Sequence, residues 1–207
     1  MLASLLLHPL STFFAGLILA VAVIALLLVS CAAPNTSETD VAIYQKRLAA
    51  IPPSGLDPGS AAEKAALDRF TSFLQGIGDV AYVRENASKA YANDAWLDDT
   101  LVVHRGAAEI EKYFVQTSET MTFYQVFIED ISRSGDNYYI RWTMVFAAPA
   151  LSGGKSVHSV GISQVRFDRG GKVVMHKDFW DSGQNFYAHL PLIGGAVGYV
   201  KKRMEKN

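Results

Sequence analysis

The sequence predicts an α+β domain: a curved antiparallel sheet wrapped as a cone on three N-terminal helices, with extra helices at the C-terminus. Three observations carry that reading. Leu67, Phe70, Phe73, Leu74 and Ile77 recur at spacings of three and four, the period of a helix with one buried stripe. From Met121 the period falls to two. Phe123, Gln125, Phe127 and Glu129 alternate with Thr122, Tyr124, Val126 and Ile128, as in a strand with two unlike faces. The second half is then punctuated by Ser134-Gly135-Asp136-Asn137, Ser152-Gly153-Gly154-Lys155 and Asp168-Arg169-Gly170-Gly171, which are hairpin turns. Helices first and strands afterwards place the helices at one end of the sheet.

Residues 1–31 are unlike the rest. Leu17 to Ser30 is almost wholly aliphatic and uncharged, and it ends in Leu28-Val29-Ser30-Cys31. This resembles the lipobox of bacterial lipoproteins, which implies cleavage before Cys31 and a lipid on its thiol. A positive leading region is usual for such a peptide, and here residues 1–16 carry only His8. The other reading is an uncleaved anchor, because Phe13 to Val29 is about long enough to span a bilayer. Either way the expected partner is a membrane and the expected location the bacterial cell envelope.

Residues 32–60 hold Pro34, Pro52, Pro53 and Pro58 among small polar residues. They read as a flexible tether with one short helix around Val41 to Ala50. The domain proper is then expected over 61–182. After the first helix, Gly76 and Gly78 punctuate the chain and Asp79 can cap a second helix to about Tyr91. A short strand bearing Asp99 follows, and Gly106 opens a third helix with Ile110, Tyr113 and Phe114 on one face. Strands are expected at about 122–132, 137–148, 156–168 and 172–180, rich in Val, Ile, Tyr, Phe and Trp.

Several function classes are excluded early. Cys31 is the single cysteine, so the folded part has no disulfide framework, no cysteine-based zinc site and no cysteine nucleophile. A net charge of -1 gives no field that would draw the chain to nucleic acid. The histidines lack the close paired spacing of zinc sites, and neither a metal nor a cofactor is expected.

The order of elements resembles the nuclear transport factor 2-like superfamily, in particular its SnoaL-like and ketosteroid-isomerase-like branches. Tyr91 to Thr100 (YANDAWLDDT) is similar to that family's helix-to-strand entry. Gly106 to Phe114 (GAAEIEKYF) matches the glycine and helix that follow. Val165 to Val174, continuing to Asp178-Phe179-Trp180, matches its last hairpin. The resemblance covers about residues 65–182 and implies the cone fold. It does not by itself imply a reaction, since this fold hosts enzymes and binding modules alike.

The resemblance puts Asp99 where isomerase-like members keep a general base. Burial of a carboxylate among apolar residues penalises its charged form, which suits a proton acceptor; alternatively Asp99 simply satisfies backbone N–H groups of a turn. Two departures count against classical isomerase chemistry. The oxyanion-hole tyrosine falls near Phe70 or Thr71, and the second acidic donor falls near Ser163. On the last strand His176, Asp178 and Trp180 share one face, so His176 and Asp178 could act as base and orienter. They could equally be structural, with Asp178 paired to a base such as Arg141. Epoxide-hydrolase members use Arg-x-Asp, and here Arg141 is followed by Thr143, which disfavours that chemistry.

The expected ligand-binding residues are Trp96, Tyr124, Trp142, His158, Ser163 and Trp180, around a small hydrophobic molecule. Beyond 182, residues 183–207 alternate apolar side chains with Lys201, Lys202, Arg203 and Lys206, and Pro191, Gly194 and Gly195 are expected to break them into two short helices. This extension could pack across the cone mouth, on a partner subunit or on an anionic bilayer. A homodimer through the sheet is a further possibility. Two functions therefore stay open: a membrane-tethered binding module for a small hydrophobic ligand or a protein, and an isomerase- or cyclase-type enzyme using Asp99 or His176 on an apolar carbonyl compound.

Overall fold

The computed structural model describes residues 37–205. Cys31 and the apolar segment before it lie outside the described residues. The chain divides into two compact units. The first ends at Ala50 and contributes helix α1 (Ser37–Ala50), longer by a turn than expected and ended by the proline pair Pro52-Pro53. The second begins at Ile51, not at Ala61. Leu56 and Ser54 are buried in it, and the Leu56 carbonyl accepts a hydrogen bond from Arg133 at 2.9 Å.

Helix α2 (Ala61–Gln75) is capped by the Ser60 hydroxyl, which accepts from the Glu63 N–H at 3.1 Å. Asp79 caps α3 (Val80–Ala90) by accepting from the Ala81 and Tyr82 N–H groups. The turn between them needs Gly76, where an added Cβ would lie 2.2 Å from the Tyr82 ring. Strand β1 (Tyr91–Asp98) starts at once, β2 (Val103–Arg105) folds back on it, and α4 (Ala107–Thr120) follows Gly106 at φ 84°. The long strands are β3 (Phe123–Ser134), β4 (Asn137–Ala147), β5 (Val157–Phe167) and β6 (Val173–Trp180), each within two residues of its expected limits. A helical turn α5 (Pro149–Ser152) sits in the β4–β5 connection.

The six strands form one curved, unclosed sheet in the order β2-β1-β6-β5-β4-β3. All neighbours are antiparallel except β1 and β6, which run parallel. The sequence had suggested an antiparallel sheet throughout; a strand that enters from a helix and pairs with the last strand is not bound by hairpin geometry. Helices α2, α3 and α4 fill one end of the concave face with Phe70, Phe73, Val83, Ile110 and Phe114 against Tyr91, Leu97, Ile140 and Val165. Edge-on contacts order this core: Phe73 meets Tyr91 and Phe114 at ring-centre distances of 5.4 Å each, an arrangement aromatic quadrupoles favour. The outer face of the sheet carries the exposed side chains Phe127, Val160, Ile162 and Phe179.

The C-terminal extension comprises α6 (Ser182–Asn185), a 3-10 turn (Tyr187–His189) and α7 (Ile193–Met204). Gly194 and Gly195 lie inside α7, so the break falls at Pro191 and Leu192 instead of at the glycines. The Gly194 position lets the first turn of α7 rest on the preceding turn, since a Cβ there would lie 2.3 Å from the Ala188 carbonyl oxygen. Asn185 ties the segment to β5 through the Ser159 hydroxyl at 2.9 Å. Among the described residues no helix is long and apolar enough to cross a membrane.

Glu63 clamps α2 to the β3–β4 hairpin. It accepts from the Gly59 N–H at 2.6 Å, from Tyr138 at 2.9 Å and from Arg133 at 2.5 Å. Burial alone would raise its pKa, but the Gly59, Tyr138 and Arg133 donors together lower it below the ordinary value of 4.5. The linked stability is fully present above about pH 4.5 and is lost as pH falls through the lowered value. Glu63→Gln is therefore expected to be less stable than the parent at neutral pH and to show a shallower loss below pH 4.5 in urea titrations across the acid range.

Candidate functional site

The half of the cone that the helices leave unfilled is an open pocket of about 700 Å³. Its walls are mostly apolar: Leu74, Ile77 and Phe114 from the helices, Val126, Met144 and Phe146 from the sheet. Its mouth is edged by Leu101 and Val102, by Leu151, and by Phe186, Tyr187 and Leu190 from the C-terminal segment. Polar groups gather on one side, where Asp99, Ser163, His176 and Asp178 reach the lining.

Strand register explains the cluster. Ser163 on β5 pairs directly with Asp178 on β6, and Val165 pairs with His176. Side chains two apart on one strand share a face, so Ser163, His176 and Asp178 converge on the concave side. His176 is completely buried. Its Nε2 lies 2.8 Å from Asp178 Oδ1 and 3.1 Å from Ser163 Oγ, and its Nδ1 lies 2.8 Å from the Tyr91 hydroxyl. An ionised carboxylate only accepts, so Nε2 carries the proton shared with Asp178, and in the neutral ring Nδ1 accepts from Tyr91. Burial first, then the charge of Asp178, pushes the Tyr91 pKa well above its ordinary value, which keeps that hydroxyl a donor. Ser163 donates to Asp178 Oδ1 at 2.5 Å and accepts from the Trp142 indole N–H at 3.0 Å. The edge of Phe70 closes the ring in at 5.0 Å.

Asp99 falls one residue beyond β1, in the turn to β2, and not on a strand. Its Oδ1 accepts from the Leu101 and Val102 N–H groups at 2.9 and 2.8 Å, and its Oδ2 accepts from the Tyr113 hydroxyl. Burial, then the Asp99 charge, raises the Tyr113 pKa far above the usual tyrosine range, so Tyr113 stays protonated as donor. The turn is tied to β6 twice: Trp180 donates its indole N–H to the Asp99 carbonyl at 2.7 Å, and Thr100 donates to the Asp178 carbonyl at 2.6 Å. Thr100 has φ 80°, an uncommon conformation for a residue other than glycine, and these bonds hold it there.

Of the residues singled out from sequence, Asp99, Tyr124, Trp142, Ser163, His176, Asp178 and Trp180 line the pocket. Tyr124 donates to the Leu74 carbonyl at 2.9 Å and joins sheet to helix. Trp96 and His158 are corrections. Trp96 is buried but does not line the pocket; it pairs with Met175 on β6, while the adjacent Leu97 pairs with His176, so the indole belongs to the opposite face. His158 is exposed; on β5 the inward positions are Val157, Ser159, Gly161 and Ser163. Arg141 pairs with Asp130 on the outer face at 2.5 Å, not with Asp178. Sequence reasoning missed Tyr91, Tyr113 and the mouth residues Phe186, Tyr187 and Leu190. Tyr91 lies before a register shift that ends at Trp96, so alternation along β1 could not place it; Tyr113 already lay on the buried stripe of α4. Among the described residues no group of three His, Cys, Asp or Glu is placed to hold a metal ion.

The SnoaL-like domain profile matches residues 65–176, just over half of the chain. Three solved structures are similar. A putative SnoaL-like polyketide cyclase from Jannaschia sp. CCS1 aligns at 15% identity over 61% of this chain and 92% of its own, with a TM-score of 0.52. A hypothetical protein with a ketosteroid isomerase-like fold from Catenulispora acidiphila, bound to trimethylamine, aligns at 15% identity over 60% and 90%, with a TM-score of 0.49. An epoxide hydrolase of the LEH-like kind from M. tuberculosis aligns at 17% identity over 62% and 89%, also with a TM-score of 0.49. At such identities the likeness concerns the fold. None of the curated proteins matches the chain.

Tyr91→Phe tests the network. The variant leaves His176 Nδ1 buried without a donor, and stability should fall by about 1–3 kcal/mol in denaturant titration. In nitrogen-15 spectra the parent ring should show the proton on Nε2, held by Asp178, and the variant should keep that proton while its Nδ1 resonance shifts on losing the Tyr91 hydrogen bond.

Proposed function

Because the chain belongs to the SnoaL-like domain family, we propose that its pocket binds a small, mostly apolar molecule and holds the one polar edge of that molecule against Asp178. The observation that supports this most is the pocket itself: about 700 Å³, with apolar walls and its polar groups on one side. Ligand sites are commonly about 300–1,000 Å³ with few, convergent polar groups. Among the described residues Asp178 Oδ1 accepts from Ser163 and His176 and Oδ2 accepts from none. A ligand hydroxyl or amide N–H is the natural partner for Oδ2. The apolar N-terminal segment would tether this binding domain to the cell-envelope membrane, as a lipoprotein or through an uncleaved anchor.

Proton transfer on an apolar carbonyl compound is the second reading, and Asp178 favours it over Asp99. Asp99 is engaged by three donors, whereas Asp178 keeps a free oxygen braced by His176 and Tyr91. Oδ2 would take the proton from carbon beside the carbonyl, and the electron pair would move onto the carbonyl oxygen. That oxyanion needs donors aimed at it. The neighbouring donors are already engaged: Trp142 to Ser163, Ser163 to Asp178, Tyr113 to Asp99 and Trp180 to the Asp99 carbonyl. This weighs towards binding without turnover.

Native mass spectrometry of the chain purified from its source should reveal a co-purifying small molecule. Asp178→Asn should weaken its affinity about tenfold or more, the worth of one charge-assisted hydrogen bond. A chain that carries nothing, and whose pocket takes up no neutral apolar dye, would refute the binding reading. Exchange of ligand C–H protons with solvent that stops in Asp178→Asn would favour the enzymatic one.

A further inference from the structure

Helix α7 carries a surface that neither the pocket nor the core uses. At 100° per residue, Ile193, Val197, Val200 and Met204 fall within a sector of about 60° on the helix. Most of the stripe is uncovered: Ile193 is 47%, Val200 53% and Met204 73% exposed, Leu192 just before it is 95% exposed, and only Val197 at its edge is half-buried. Lys201 and Arg203 lie on either side of the stripe and Lys202 opposite it. Among the described residues none of the three cations forms an ion pair; Lys201 donates to Gln184 and Arg203 to the Tyr199 hydroxyl. Glu205 is the one acid between Phe186 and Glu205.

We propose that α7 docks in the plane of an anionic lipid bilayer, with Leu192, Ile193, Val200 and Met204 in the acyl boundary and Lys201 and Arg203 at the headgroups on either side. An apolar stripe flanked by long cationic side chains suits that position, because the stems lie along the apolar surface while the charges reach lipid phosphates. The other occupants match less well. The chain's own residues 1–30 could cover the stripe, but they contain no Asp or Glu and leave the cations unmatched. A second α7 laid stripe to stripe would bring like charges together. Docking has a consequence for the pocket, since the same segment edges its mouth with Phe186, Tyr187 and Leu190 and α7 is seated on that edge through Gly194. The mouth would lie beside the bilayer, where apolar molecules are dissolved. The surface itself does not depend on the ligand reading.

The test is amide hydrogen exchange of residues 193–204 in the full chain, reconstituted in vesicles of phosphatidylcholine alone or mixed with phosphatidylglycerol. Exchange should slow by about tenfold in the anionic vesicles. It should return to the neutral-vesicle rate in Lys201→Ala/Lys202→Ala/Arg203→Ala and in Val200→Asp, while β4 amides stay equally protected in every variant. Added salt should reverse the slowing, because these charges are screened over about 10 Å at 0.1 M. Equal rates in both vesicle types would overturn the proposal. So would slow exchange that ignores lipid charge, which means the stripe is covered by the chain's own N-terminal segment, or slowing that grows with protein density, which means a second copy covers it.

Discussion

The hydrogen bonds around His176 are the constraint on which both halves of the domain depend. The ring is fully buried where the aromatic end of the cone gives way to the open end. A buried imidazole with an unmet nitrogen would be costly, and here both nitrogens are met from separate strands, by Tyr91 on β1 and by Asp178 and Ser163 on β6 and β5. The network therefore fixes more than a side chain. It locks the parallel pairing of β1 with β6, the one connection in the sheet that no hairpin enforces, and it sets the direction in which the Asp178 carboxylate faces the pocket.

That network also separates the two carboxylates on the polar wall. Asp99 is satisfied on both oxygens by its own turn and by Tyr113, so it serves as the pin of a turn whose Thr100 has a positive φ. Asp178 is satisfied on one oxygen and open on the other. Sequence resemblance put the expected base at Asp99, and the geometry moves the available carboxylate to Asp178. His176, with no exposed surface, would act on the proposed ligand through Asp178.

Most of the architecture was legible in the sequence because it rests on local signals. The change of period at Met121, the glycine-bearing turns and the cap Asp79 each specify their element without help from distant residues. What was not legible depends on register and on non-local partners. Trp96 looked like a cavity aromatic until β1 took its place beside β6 and put Leu97, not Trp96, on the concave face. His158 failed for the same reason, since a shift of one residue exchanges the faces of a strand. His176 and Asp178 came out together because they alternate along one strand, and Ser163 came from the resemblance, although a register shift between Arg166 and Phe167 interrupts the hairpin that joins the two strands. Tyr91 and Tyr113 could not be assigned from spacing alone, for each acts on a residue brought close only by the fold.

The two ends of the pocket place different demands on whatever occupies it. Deep in the cone the polar groups spend their donors on one another, so a ligand that only accepts hydrogen bonds gains little there and one that donates gains the free oxygen of Asp178. At the mouth the edge is mostly apolar, made of Leu101, Val102, Leu151, Phe186, Tyr187 and Leu190. A molecule with a donor at its leading end and an apolar trailing end satisfies both conditions at once. A short polar metabolite satisfies neither, because the mouth would strip its hydration without replacing it. For the binding proposed above, the C-terminal segment would add to selectivity, since Phe186, Tyr187 and Leu190 make the open end narrower and more apolar than the polar wall alone would leave it.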